Sequence, residues 1–178
     1  MRTIGALIFP GFELLDLFGP LEMFGLLEKR YEIKLIANNI GPVKSNQGPS
    51  AFADMALNEV TDFDILFVPG GAGTRREVEN EHLLAWLRQV AVNAEYVLSV
   101  CTGSALLARA GLLDGKRATT NKAAFGWAES QGPNVSWLKQ ARWVEDGKDM
   151  ALKVANWAEY NWQQDPEHDP FAALNGLV

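Results

Sequence analysis

Cys101 is the residue in this chain whose surroundings best suit nucleophilic chemistry. It is the only cysteine. It stands between Tyr96–Val100, an apolar run that reads as a short buried strand, and a helix beginning at Gly103 with Ala105, Leu106 and Leu107 on its apolar side. A residue on so tight a strand-to-helix turn is held out above the end of a sheet. It also lies beside the positive end of the following helix, which favours a thiolate. The small residues Thr102, Gly103 and Ser104 leave room around the sulfur. This is the pattern of a nucleophile elbow with sulfur in place of oxygen. A lone cysteine is otherwise often just a small buried hydrophobe, and it is the strand–Cys–Thr–Gly–helix context that separates the two readings here.

A nucleophile of this kind needs a proton donor or acceptor and a place for developing charge. Asp16 lies among Leu14, Leu15 and Leu17, so desolvation should raise its pKa and a protonated carboxyl could hydrogen-bond the thiolate. It would then serve as general acid or base; the alternative is that it caps the helix that follows. Gly70 and Gly71, in Pro69–Thr74, allow backbone N–H groups to approach a reacting atom. Together with the Thr102 amide they would form an anion hole; the alternative is a tight strand-to-helix turn. Glu22 could reach the site from a first helical turn, or simply complement the helix dipole there. Neither histidine, His82 nor His168, has a spacing that points at Cys101, and both read as solvated.

The elements that would position these groups alternate between strand and helix. Thr3–Phe9 is a continuous apolar run, the mark of a strand buried on both faces. Pro10–Gly11 ends it, and a loop over Phe12–Phe18 carries Asp16. Gly19–Pro20 opens a helix with Pro20 at its first position, running to about Lys29. Tyr31–Ala37 is a second strand, Ile40–Ser50 a loop or short hairpin, and Asp64–Val68 a third buried strand ending in the glycine-rich turn. Glu81–Ala91 is helical, with Leu83, Leu84, Leu87 and Val90 on one face. Arg117–Thr120 is short and β-like, Asn121–Ser130 helical with Asn121 near its start, Val135–Leu138 and Ala141–Glu145 short strands, Asp149–Gln164 a helix, and Asp165–Val178 an irregular tail. Such alternation implies a parallel sheet with helices on both faces, and sites in such sheets form at the carboxyl ends of strands. Asp16, Gly70–Gly71 and Cys101 all follow strands, so three separate segments should meet at one edge.

Composition narrows the partners. The chain has 178 residues, enough for one domain with a proper core, and is 48% hydrophobic and 21% charged. A net charge of −6 with no Lys/Arg cluster argues against a nucleic-acid surface. One cysteine excludes an internal disulfide, and with only two histidines a zinc site is not expected. The first residues read as a core strand rather than a signal peptide, and no apolar stretch suffices to cross a membrane, so a cytoplasmic protein is the default expectation.

The segments GALIFPGFELLDLFGPLEMF, DILFVPGG, YVLSVCTGSALLARAGLLDGKRATTN and ARWVEDGK together resemble the ThiJ/PfpI superfamily, in family order as far as about residue 148. LLDLFGPLE, VCTG and TTNKAAFGW are most similar to its isocyanide (isonitrile) hydratase branch. Relatives with protease-like or amidotransferase-like chemistry carry a histidine shortly after the nucleophile; the matching neighbourhood here holds Asn121 and Lys122, which makes Asn121 a candidate pocket residue. The resemblance implies a flavodoxin-like α/β sandwich and a homodimer with its sites near the interface. It further implies hydration of an isocyanide to an N-substituted formamide through a thioimidate on Cys101. Asp16 would deliver the proton to carbon and then position water, and the Thr102 and Gly71 amides would line the reacting position. No metal or organic cofactor is implied. After Lys148 the sequence departs from the pattern: it runs directly into Asp149-Met150-Ala151-Leu152, shorter by on the order of two dozen residues at the usual lengths of a strand and a helix. Two other readings use the same fold: a redox or ligand sensor, for which Cys101 would oxidise or a ligand would bind without turnover, and a glyoxalase- or deglycase-like activity on α-oxoaldehydes through the same cysteine.

Overall fold

A computed structural model describes residues 1–27, 30–59, 62–146, 165–167 and 169–178. The apolar runs form a five-stranded sheet. Its strands are β1 (Arg2–Leu7), β2 (Tyr31–Ala37), β5 (Met55–Ala56), β6 (Ile65–Val68) and β7 (Tyr96–Ser99), in the spatial order β5-β2-β1-β6-β7, and every pairing is parallel. β1 and β6 lie inside it, each paired on both sides, and their buried stretches Ile4–Leu7 and Ile65–Val68 hold no polar residue. β7 is the outer strand among the described residues and its side chains are only partly covered.

Parallel neighbours need crossover connections. Helix α1 (Leu14–Gly25) links β1 to β2, and α2 (Thr74–Glu77) with α3 (Glu81–Ala91) links β6 to β7. In α3 the apolar stripe Leu83, Leu84, Leu87 and Val90 is buried, and Asn80 caps its start by accepting the Leu83 N–H. Helix α4 (Gly103–Arg109) follows β7 after three residues. A hairpin of β3 (Gly41–Lys44) and β4 (Ser50–Ala53) occupies the expected loop-or-hairpin segment. The short pair β8 (Arg117–Ala118) and β9 (Ser136–Trp137) is parallel.

Several boundaries differ from expectation. α1 begins at Leu14, so Asp16 is helical and Pro20 lies inside the helix. The start is fixed from outside the segment: the Glu13 N–H donates to the Gly70 carbonyl and the Leu14 N–H to Gln47 Oε1, which satisfies donors that a helix start leaves open. Ala141–Glu145 forms no strand; the Ala141 carbonyl accepts from Lys122 Nζ and Thr119 Oγ1 instead of a ladder partner. Asn121–Ser130 splits into a 3-10 turn, Lys122–Ala124, and helix α5 (Phe125–Ser130). The expected tail contains a helix, Pro170–Leu174, whose start is written in Asp169 as cap and Pro170 as first residue. The expected helix over residues 149–164 and His168 lie outside the described residues.

Because β1, β6 and β7 run in register, with Ala6 beside Phe67 and Val68 beside Ser99, their carboxyl ends and the loops that follow open on one edge of the sheet. The order reverses direction between β1 and β6, the point at which open parallel sheets leave a crevice.

Candidate active site

Cys101 sits at the head of α4 with φ of 54°, the left-handed region that a side chain rarely adopts. The turn is tight at both ends: the Val100 N–H donates to the Val68 carbonyl and the Gly103 N–H to the Val100 carbonyl. The carbonyl of Cys101 accepts from two hydroxyls, Ser104 Oγ at 3.0 Å and Thr120 Oγ1 at 3.0 Å. Gly103 has to be glycine, since a β-carbon there would lie 2.2 Å from the Val68 carbonyl oxygen. Gly103→Ala is therefore expected to destabilise the fold by about 3 kcal/mol or more, because the obstacle is main chain at the end of a central strand. Urea unfolding checks this, and a midpoint equal to that of the unmutated protein would contradict it.

Asp16, on the first turn of α1, points across the crevice. Its Oδ2 accepts the Gly70 N–H at 3.1 Å, and its carboxyl hydrogen-bonds the Cys101 thiol. Gly70 leaves the space for this meeting: a β-carbon on it would lie 2.7 Å from Asp16 Oδ2 and 2.8 Å from Cys101 Cβ. Gly71, with φ of 129°, presses against the Gly11 carbonyl, and its N–H donates to Thr102 Oγ1 at 3.1 Å. Thr74 Oγ1 completes this knot, donating to the Gly71 carbonyl at 2.7 Å and lying 3.1 Å from Thr102 Oγ1. Both glycine amides are thus engaged with side chains of the site and stand behind Asp16 and Thr102 rather than open to the crevice.

Burial pushes the Cys101 thiol up to about 11, and the neighbouring Asp16 charge adds to the rise; the Thr102 N–H and hydroxyl pull the other way without overcoming it. The thiolate expected from the helix end is therefore not favoured here, because burial and a carboxylate outweigh the start of a short helix. Asp16 is itself raised above the usual carboxylate range, chiefly by burial, with the Gly70 N–H and the Cys101 contact opposing. The charged forms of the two groups oppose one another, and the thiol, pushed up to about 11, keeps its proton at neutral pH.

A cavity of about 960 Å³ opens beside the pair, lined by Asp16, Cys101, Thr120 and Asn121 and, among its apolar residues, Leu112, Leu113 and Phe171. Asn121 is exposed at the rim, and its Oδ1 accepts the Ala124 N–H as a cap. Glu22 is exposed and outside the cavity wall. With α1 starting at Leu14, Glu22 is six positions beyond Asp16 and about 240° round the helix, on a different side. His82 is also exposed, 3.3 Å from Asn38 and apart from the site. Lys122 was not among the site residues expected from sequence. It is buried on the cavity wall, with Nζ donating to the Ala141 carbonyl at 2.6 Å and Thr119 Oγ1 at 2.6 Å and lying 3.7 Å from Asp169. It thereby ties the C-terminal segment to the site. Burial of a lysine is invisible in sequence; the run Thr119-Thr120-Asn121-Lys122 was its only trace. Among the described residues no group of three or more His, Cys, Asp or Glu could hold a metal ion, and no helix is long and apolar enough to cross a membrane.

An α/β sheet of parallel strands with a cysteine elbow at its carboxyl edge, faced by a carboxyl from the first helix, defines a class of flavodoxin-like proteins. The chain belongs to the DJ-1/PfpI family, whose pattern it matches over residues 2–153. It is 41% identical over 120 residues to an isonitrile hydratase of Pseudomonas putida, an alignment covering 67% of this chain and 52% of that protein. It is 30% identical over 139 residues to a deglycase of Thermococcus kodakarensis, covering 77% of this chain and 81% of the deglycase. The crystal structure of a ThiJ/PfpI family protein from Pseudomonas syringae superposes with a TM-score of 0.75 at 28% identity, covering 99% of this chain and 73% of that one. The chain thus spans about half the length of the isonitrile hydratase it matches.

Proposed function

We propose that this protein hydrates isocyanides to N-substituted formamides, with Cys101 as nucleophile and Asp16 as the group that moves the proton. The observation that carries this reading is the direct pairing of the Cys101 thiol with a half-buried, pKa-raised Asp16, in a site with no histidine among its described residues. Such a pair suits a reaction that needs both a nucleophile and a proton at one carbon. Sulfur attacks the terminal carbon of R–NC as its proton passes to Asp16 and from there to that same carbon, giving the thioimidate R–N=CH–S–Cys101. Asp16, ionised again, orients water and accepts its proton as oxygen adds to the C=N carbon. Nitrogen takes that proton from Asp16, giving R–NH–CH(OH)–S–Cys101; collapse of this adduct then breaks the C–S bond, releases R–NH–CHO and sends the hydroxyl proton by way of Asp16 to sulfur. The sum is one isocyanide plus one water giving one formamide, and needs no redox partner.

Within this reading the Thr102 N–H steadies the sulfur while it carries charge, the Gly70 amide aims Asp16, and the Gly71 amide sets the Thr102 side chain. The apolar part of the cavity suits a hydrocarbon R group. The exposed side chains of Leu15 and Phe18, on either side of Asp16 in sequence, support a homodimer with its sites near the interface; light scattering that finds only monomer at working concentrations would remove that element. The similarity to a deglycase makes α-oxoaldehydes the competing substrates. Parallel assays with a panel of alkyl and aryl isocyanides and with methylglyoxal decide between the two. Formamide release is expected, and conversion of methylglyoxal alone would overturn the assignment.

A further inference from the structure

We propose that Gln47, on the turn between β3 and β4, is a positioning residue for Asp16: it caps, from outside the helix, the first turn of α1 that carries the carboxyl to Cys101. The inference deepens the reading above and rests on it for its meaning in turnover. The contact it concerns depends on no substrate.

α1 starts without a cap of its own. Glu13 stands at the cap position in extended conformation, with φ of −88° and ψ of 123°, and its side chain makes no capping hydrogen bond. Serine, threonine, asparagine and aspartate are the residues that close a helix start locally, and none stands here. Gln47 fills the place from 33 positions away. Its Oε1 accepts the Leu14 N–H at 3.2 Å, and its Nε2 donates to Glu13 Oε1. One amide thus serves the first donor of the helix and orients the residue before it. Asp16 lies on that same first turn.

The turn that presents Gln47 is fixed by main chain. Phe12 and Ser45 form a β-bridge, the Gly11 N–H donates to the Lys44 carbonyl at 2.8 Å, and the Asn46 N–H donates to the Phe12 carbonyl at 2.8 Å. The Gln47 amide carries that fixed point to the helix. On its other side the first turn of α1 meets the glycine-rich loop: the Glu13 N–H donates to the Gly70 carbonyl at 2.9 Å, and the Gly70 N–H donates to Asp16 Oδ2 at 3.1 Å. Asp16 therefore stands between two anchors. Gly70 holds the carboxyl through main chain, and Gln47 holds the turn through one exposed side chain. A helix start that loses the partner of its first N–H frays. Fraying here swings Asp16 away from the thiol whose ionisation its charge opposes.

The test is the rate at which iodoacetamide alkylates Cys101 at about pH 9, below the thiol pKa of about 11, where the rate follows the thiolate fraction. Gln47→Met keeps the length of the side chain and deletes both hydrogen bonds. It should react about threefold faster than the unmutated protein, the scale of losing one cap, and so move in the direction of Asp16→Asn. Added to Asp16→Asn it should change nothing, because the group it positions is gone. The exchange E13Q/Q47E keeps an acceptor for the Leu14 N–H and an amide facing a carboxylate, so it should return the unmutated rate. With isocyanide, Gln47→Met should lower kcat and leave KM unchanged. The expected alkylation pattern in a protein that forms no formamide would sink the hydration reading and leave the role of Gln47 standing. Equal alkylation of Gln47→Met and the unmutated protein overturns the proposal, as does an exchange variant no slower than Gln47→Met. An acceleration as large in the Asp16→Asn background as without it also overturns it, since Gln47 would then only screen the sulfur from the reagent.

Discussion

Cys101→Ala is expected to remove formamide formation, by about 10⁴-fold or more, while leaving the folded protein in place. The magnitude follows from the reaction: without sulfur there is no thioimidate, and losing a nucleophile that acts together with its acid costs as much as losing the whole pair. The fold should tolerate the change, because what holds the elbow is main chain and neighbouring hydroxyls, not the thiol. The Val100 N–H, the Gly103 N–H and the Ser104 and Thr120 hydroxyls keep their partners whatever side chain stands at 101. Alanine still has to sit at φ of 54°, so no relief of strain is expected either. Formamide quantified by mass spectrometry, alongside a thermal melt, gives both halves of the result. Turnover within about tenfold of the unmutated rate would remove Cys101 from the chemistry.

Asp16→Asn should lower turnover by about 10²- to 10⁴-fold, the range for losing a positioned acid and base. The amide keeps the shape and can still accept from the Gly70 N–H, so the loss isolates proton transfer from packing. Stability should move the opposite way. Asp16 has a folded-state pKa raised mainly by burial, so the fold favours its protonated form. The folded chain then binds more protons than the unfolded one between the ordinary and the raised value, so stability falls as pH rises through that window and the penalty is fully present above the raised value. The substituted amide carries no such charge. The variant should therefore melt at or above the unmutated protein at pH 7, and the advantage should shrink as pH falls through the raised pKa. A variant that is both inactive and clearly less stable at pH 7 would mean that Asp16 is structural.

The sheet was legible in the sequence because strands buried on both faces are unbroken apolar runs; Ile65–Val68 needed only that rule. The elbow was legible because a cysteine between a strand and Thr-Gly has few other uses. The start of α1 was not legible. Gly19–Pro20 is a strong local signal for a helix beginning there, and it is overridden by Gln47 and the Gly70 carbonyl, more than thirty positions away in sequence, which satisfy the backbone at Glu13 and Leu14. That one tertiary effect moved Asp16 from loop to helix and turned Glu22 away from the site. The protonation state of Cys101 was equally hidden, since it depends on how deeply the sulfur is buried and on a carboxylate 85 positions earlier in the chain, and no local pattern encodes either. Ser45 and Lys122 show the same limit, a serine and a lysine that look like ordinary surface residues in sequence and are buried in the fold.

The Asp16 carboxylate opposes ionisation of the Cys101 thiol, and the pH dependence of alkylation at the single thiol reads that coupling directly. Reaction with iodoacetamide, followed by mass spectrometry from pH 6 to 12, reports the thiolate of Cys101 alone, since the chain has no other cysteine. A rate that keeps climbing toward pH 11 is expected in the unmutated protein, and a profile displaced to lower pH in Asp16→Asn, where the opposing charge is gone and the thiol ionises more easily. Superimposable profiles for the two proteins would show that the carboxylate does not act on the sulfur and would contradict the mechanism built on the pair.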